Sequence, residues 1–418
     1  MTSSPNNEIS DQNSEEVLFV SHDAGRTGAP FVLLNFQRWL KENTTLKFAT
    51  ILRRTGPLET EFAKLGETFL IETPSKPRSL PTRIANRLGW STSRPDERLA
   101  PFRNRCYRLI YSNTVTNGDV LQALARPGVQ IITHVHELEY WIKKSGATNW
   151  KQVCKHTTTF IAASEAVALY LQKQHGITPE RIKVVHEFIP TKAWTQSGVT
   201  RKTPLSRAQL GIPENAFVVG GSGSETWRKG KDLFIKLAGI LRRRHPAQPF
   251  WFMWVGWQGN EKERSQLARD MEAAGIIDSF IWTGEVANPL DYFANFDAFA
   301  LVSREDPFPL VCLEAALLGK PILCFADAGG APELIEQDSG FVVPYLDLEA
   351  MADKLILLQQ SKDVARQMGA CGATKVRERF SLDVVAPHLY QLINDLLGHD
   401  ISIGATRMTN ATKAFSTS

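Results

Sequence analysis

One succession of residues occurs twice in this chain and limits its fold more than any other feature. The apolar run Val17-Leu18-Phe19-Val20 leads into a loop at residues 23–30 that carries Gly25 and Gly28, and then into an apolar-rich helical stretch at residues 31–40. After a polar interval at residues 191–203, where periodicity is lost, Phe217-Val218-Val219-Gly220 starts the same succession again. A strand that turns into a helix opens an α/β unit. Strand-like runs at residues 48–52, 129–132, 159–162 and 182–185 follow the first opening. Runs at 250–255, 280–282, 296–302, 321–325 and 340–343 follow the second. Strands that alternate with helices build parallel sheets covered on both faces. The pattern predicts an α/β protein of two doubly wound, Rossmann-like domains, residues 16–190 and 204–380, with a linker at 191–203. A chain of 418 residues also exceeds one ordinary core. Two such domains leave a cleft between them, the usual place for a ligand.

Composition narrows the classes of function. Basic side chains number 48 and acidic ones 44, a formal charge of +4 that gives no case for a nucleic-acid partner. The five cysteines, Cys106, Cys154, Cys312, Cys324 and Cys371, are odd in number and not spaced as metal ligands, so they read as reduced thiols of a cytoplasmic protein. Residues 1–15 and 399–418 are polar and read as disordered tails, and residues 1–15 lack the apolar centre of a secretory signal. No apolar run reaches the roughly eighteen residues that a membrane span needs. Between residues 76 and 108, nine Lys and Arg face two acids, Asp96 and Glu97. That segment reads as a solvated helical insertion or as a docking face for an acidic acceptor or the inner face of a membrane.

The chemistry concentrates in Ser303-Arg304-Glu305-Asp306-Pro307-Phe308-Pro309-Leu310-Val311-Cys312-Leu313-Glu314-Ala315. Asp306 before Pro307 is explained as a helix cap, a contribution of about 1 kcal/mol. Glu314 is not explained that way. It sits between Leu310-Val311-Cys312-Leu313 and Ala315-Ala316-Leu317-Leu318, where an unpartnered carboxylate is costly, so a ligand hydroxyl or a basic neighbour is expected beside it. The N–H groups of a helix start attract an anion. One segment is therefore suited to hold a sugar joined to a phosphate.

The pair Asp306 and Glu314 resembles the paired-acid signature of glycosyltransferase family four, retaining group 1 enzymes of the GT-B fold, and the resemblance covers roughly residues 16–395. It implies that Asp306 meets hydroxyls of the donor sugar and Glu314 the ribose of its nucleotide. The first acid is aspartate where glutamate is usual, with Glu305 beside it. Pro307 and Pro309 stand where glycines are frequent, so N–H donors to the sugar or phosphate fall to Phe308, Leu310 and Val311. In the run from Val219 to Gly230, the resemblance maps phosphate binding onto Lys229. Ser224 holds the place of the usual arginine, and Arg228 compensates. Gly28 corresponds to a loop that admits a phosphate, His136 to a histidine that approaches the donor sugar, and the backbone near Val286 to the edge of the nucleobase. Gly329-Gly330-Ala331-Pro332-Glu333 matches another family turn, and the helical run within 381–398 one that returns to the first domain.

The residues themselves leave rival readings. In His134-Val135-His136-Glu137 the two imidazoles are expected on opposite sides of a continuing strand, so that at most one faces the cleft, and a metal needs more ligands, so neither metal nor cofactor is expected. Gly221, Gly223 and Thr226 nearly spell a dinucleotide turn, but no acidic residue lies between Asp232 and Glu261 to take a ribose hydroxyl. The expectation is a retaining, metal-independent transferase that moves a sugar from a nucleoside-diphosphate-sugar to a glycan, lipid-linked or other acceptor. A nucleotide-sugar epimerase or phosphorylase, and a non-catalytic nucleotide-sugar-binding protein, are the alternatives.

Overall fold

The computed structural model describes residues 17–72, 97–192, 205–224, 226–256 and 259–398. Both expected tails, most of the expected linker and residues 76–96 of the basic segment lie outside the described residues. The first sheet contains β1 (Val17–Ser21), β2 (Phe48–Arg54), β3 (Glu67–Glu72), β4 (Leu109–Asn113), β5 (Gln130–Val135), β6 (Thr159–Ala162) and β7 (Ile182–Val184), in the order β3-β2-β1-β4-β5-β6-β7. The second contains β8 (Phe217–Ser222), β9 (Phe250–Val255), β10 (Phe280–Trp282), β11 (Ala298–Leu301), β12 (Ile322–Phe325) and β13 (Gly340–Val343), in the order β10-β9-β8-β11-β12-β13. Every pairing in both sheets is parallel. Strands β1 and β4 are buried along their whole length, as central strands between two helical layers must be.

Two strands were absent from the expected runs, and each has a local reason. β3 is an edge strand with a glutamate at either end, which dilutes its apolar signal. β4 emerges directly from the arginine-rich segment and ends in Ser112-Asn113, so its apolar run is short. The first helix, Gly28–Asn43, begins inside the expected loop, because Pro30 falls in its first turn, where a missing N–H is harmless.

Four apolar clusters hold the molecule together. Phe234, Phe252 and Trp254 centre the second domain, and each fully buried side chain of this size contributes about 1.5–3 kcal/mol. The last helix, Leu382–Leu397, lies on the first domain, where Val385, Leu389, Ile393 and Leu397 share a cluster with Phe19, Leu33 and Phe36. The chain enters that helix beside Ile189, whose N–H donates to Phe380 O at 3.1 Å and whose carbonyl accepts from Leu382 N at 2.9 Å. Another cluster joins Ala163 and Ile189 of the first domain to Phe308, Leu313 and Phe380 of the second. The domains therefore share apolar packing. No helix among the described residues is long and apolar enough to cross a membrane.

Candidate active site

Carboxyl ends of parallel strands place the predicted residues. Lys229 ends a short turn, Trp227–Lys229, beyond β8, and Asp306 follows β11. The backbone of Asp306 is fixed from both sides, its N–H donating to Ala328 O at 2.7 Å and its carbonyl accepting from Gly330 N at 3.2 Å. Gly329 makes this possible. Its φ is +132°, and a Cβ there would lie 1.8 Å from Asp306 O. The Asp306 carboxylate accepts from Lys229 Nζ at 2.6 Å and Ser303 Oγ at 3.1 Å, with Arg228 Nη1 at 3.5 Å. Burial opposes ionisation of Asp306, but Lys229 and Arg228 outweigh it and hold the carboxyl below its ordinary value. Lys229 is held below its ordinary value by burial and by Arg228, against the pull of Asp306.

Glu314 lies on the helix Leu310–Leu317, half-buried. Among the described residues no hydrogen bond or ion pair reaches its carboxylate, and burial alone pushes its pKa up to about 7. No basic neighbour among the described residues satisfies it. Burial chiefly pushes the Cys312 thiol well up, with Asp306 and Glu314 adding to it and Lys229 opposing. At the start of this helix Cys312 N bonds to Pro309 O at 3.0 Å, whereas the N–H groups of Leu310 and Val311 precede the first intrahelical acceptor. The Phe308 ring is turned away, packed on His186 and Phe380 at 5.0 and 5.3 Å between centroids. Val286, beyond β10, packs half-buried on the same cluster.

On the facing domain, Gly28 opens its helix against the second domain, where a Cβ on it would meet only Leu310 Cδ1, at 3.8 Å. Neither its backbone nor its packing requires glycine. His136 follows β5, and its ring packs against that of His134 with centroids 4.0 Å apart and the planes tilted by 37°. Residues two apart on a strand share a face. Both imidazoles therefore lie on one side and not on opposite sides as expected, His134 fully buried beneath His136. Tyr111 OH lies 2.7 Å from His134 Nδ1. His136 meets Glu187 through Nδ1 and Asn113 Oδ1 through Nε2, the latter at 2.9 Å. His134, His136 and Glu187 bring one potential ligand atom each within 4.8 Å of one another, yet both nitrogens of His136 are already taken by protein partners. Asn113, Glu187 and Tyr111 escaped the sequence reading, since they come from three separate segments.

Several bonds tie the domains across the cleft. Glu333 accepts from the N–H groups of Glu165 and Ala166, each at 3.0 Å, at the start of the helix Glu165–His175, and lies 2.6 Å from His186 Nε2. Ser164 Oγ donates to Pro307 O at 2.8 Å. Glu305, next to Asp306 in the sequence, accepts from Tyr140 N at 3.0 Å on the opposite domain.

Residues 202–374 match the family model described as glycosyl transferases group 1, and residues 50–193 match glycosyltransferase family 4. The chain belongs to the group 1 glycosyltransferases. This glycosyltransferase is 24% identical to the lipopolysaccharide core biosynthesis mannosyltransferase LpsB of Rhizobium meliloti, over 80% of its own length and 90% of that relative. Its match to the lipopolysaccharide core biosynthesis glycosyltransferase LpsD of the same organism, at 28% identity, spans 43% of this chain and about half, 49%, of LpsD. Anabaena HepE, solved with UDP and glucose, superposes with a TM-score of 0.73 at 19% identity, covering 91% of this chain and 99% of that one. The two-domain fold is thus GT-B.

Proposed function

We propose that this glycosyltransferase moves a sugar from a nucleoside-diphosphate-sugar to a glycan, lipid-linked or other acceptor, with retention at the transferred carbon. The observation that carries the reading is Glu314, a half-buried carboxylate that no hydrogen bond or ion pair reaches among the described residues, on the helix that follows the Asp306–Lys229 pair. Ribose hydroxyls would donate to it and replace the water that burial removes. A carboxylate has about four acceptor positions, and Lys229 and Ser303 use only those of Asp306 Oδ2 at short range. The other oxygen, which accepts from Arg228 Nη1 at 3.5 Å, keeps a second acceptor position for a donor-sugar hydroxyl. Lys229, Arg228 and the N–H groups of Phe308, Leu310 and Val311 would meet the diphosphate as charge develops on it, without a metal. Gly28 and His136 bring the opposite wall to the donor, and the backbone near Val286 edges the base. The bond from the anomeric carbon to the phosphate oxygen breaks, the acceptor oxygen bonds to that carbon on the same face, and its proton passes to the departing phosphate oxygen.

HepE structures holding UDP and UDP-glucose support a donor of this class. The five unpaired cysteines suit a cytoplasmic location. Thermal shift with a panel of nucleotide sugars tests the reading, since a ligand at 100 times its dissociation constant stabilises by roughly 2.7 kcal/mol. Stabilisation by one nucleotide sugar, and an unchanged anomeric configuration in the product, are expected. No shift with any donor, or an inverted product, contradicts it.

A further inference from the structure

We infer that Asn113 and Glu187 are positioning residues that clamp His136 as a doubly protonated imidazolium and tie it to the helix start at Gly28. The orientation of Asn113 is fixed by its other bond. Its Nδ2 donates to Ala29 O at 2.8 Å, an atom that only accepts, so its Oδ1 must face His136 Nε2 at 2.9 Å. On the far side of the ring, Nδ1 faces the Glu187 carboxylate. Both partners of the imidazole are acceptors. A neutral ring carries one N–H and would leave one acceptor facing a lone pair, whereas the cation satisfies both.

The surroundings agree with that state. Burial works against a charge on His136, but Glu187, its hydrogen bond and Glu137 outweigh it and raise the ring above its ordinary value. Glu137 also accepts the N–H of His136 at 2.9 Å. The neighbouring His134 is pushed well below its ordinary value by burial and by His136. His22, at the end of β1, is lowered to about 4, chiefly by burial. Of the three histidines gathered here, His136 alone is built to be charged. Asn113 also joins the two elements of this wall that face the donor, so the ring and the Gly28 turn move together. This role rests on the donor-binding reading, in which His136 belongs to the wall that faces the donor sugar.

Imidazole 15N spectra and steady-state kinetics test the clamp together. In the wild-type protein at pH 7.5 both nitrogens of His136 are expected to be protonated. Glu187→Gln is expected to convert the ring to one N–H and to lower kcat roughly tenfold while the donor KM stays within about twofold. Should that variant not fold, Asn113→Ser tests the other nitrogen by the same two readouts. A neutral His136 in the wild type, an unchanged ring in a folded variant, or stoichiometric zinc ligated by His136 overturns the inference. The spectra need no substrate. A wild-type protein that transfers no sugar therefore defeats the proposed function, while the spectra still decide the clamp.

Discussion

The two ends of one segment are treated in opposite ways by this fold. At its start, Asp306 is locked by backbone bonds on both sides and by Lys229 at 2.6 Å, so its charge is compensated within the protein. Farther on, in the helix Leu310–Leu317, Glu314 is also largely withdrawn from water, yet among the described residues no hydrogen bond or ion pair compensates it and its pKa rises to about 7. The contrast separates an acid that builds the site from an acid that waits for a ligand. Stability should depend on the first and suffer from the second.

The most severe way to break that contrast is Asp306→Asn, which leaves Lys229 buried without its partner and should destabilise by about 3–5 kcal/mol in chemical denaturation. Adding Lys229→Met should recover much of the loss; a double variant no more stable than the single one would show that the pair does not hold the turn. Because the Asp306 carboxyl is depressed, its contribution is present above the unfolded pKa of 3.8 and declines as pH falls through the folded value.

Glu314→Gln should act with the opposite sign on stability. With a folded pKa of about 7 against 4.5 unfolded, the folded state holds the extra proton, so wild-type stability should decline as pH rises through that interval. The glutamine variant should lack this decline and be more stable at pH 8, on the order of 3 kcal/mol at most. It should also bind nucleoside diphosphate about 1.5–3 kcal/mol more weakly by calorimetry. A variant that is less stable at pH 8 and binds normally would make Glu314 a structural acid.

Removing Glu333 examines the contact between the domains. Glu333→Ala strips two helix-start N–H groups of their acceptor, a loss of about 1–2 kcal/mol. Scattering should report a larger radius of gyration, and an unchanged radius would mean that the apolar contacts alone keep the cleft closed. The smallest stability effect belongs to Gly28→Ala, within about 0.5 kcal/mol, because the added methyl meets only Leu310. Transfer should nevertheless fall by roughly tenfold if the donor lies against that turn, and wild-type activity would place the donor elsewhere.

Much of this was legible in the sequence, and what was missed follows a physical rule. Strands such as Phe250–Val255 and Ile322–Phe325 declare themselves by continuous apolar runs, because interior strands of covered parallel sheets are buried on both faces. β3 and β4 do not, since one lies at an edge and the other adjoins a basic stretch. The same division holds in the site. Asp306 and Glu314 are close in sequence, so their spacing alone suggested a shared task. Asn113, His136 and Glu187 meet only because β4, β5 and the segment after β7 end on one side of a sheet, and no local pattern marks such a meeting. Nor does a sequence tell which way a carboxylate turns. Glu305 stands next to Asp306 yet reaches Tyr140 of the other domain.

A crystal structure with a nucleoside diphosphate bound tests most directly whether Asp306, Glu314 and Lys229 gather around one activated sugar. The predicted result has ribose hydroxyls on Glu314 and the diphosphate against Lys229 and the N–H groups of Leu310 and Val311. A nucleotide bound away from these groups, or a Glu314 carboxylate still without a partner in the complex, would contradict it.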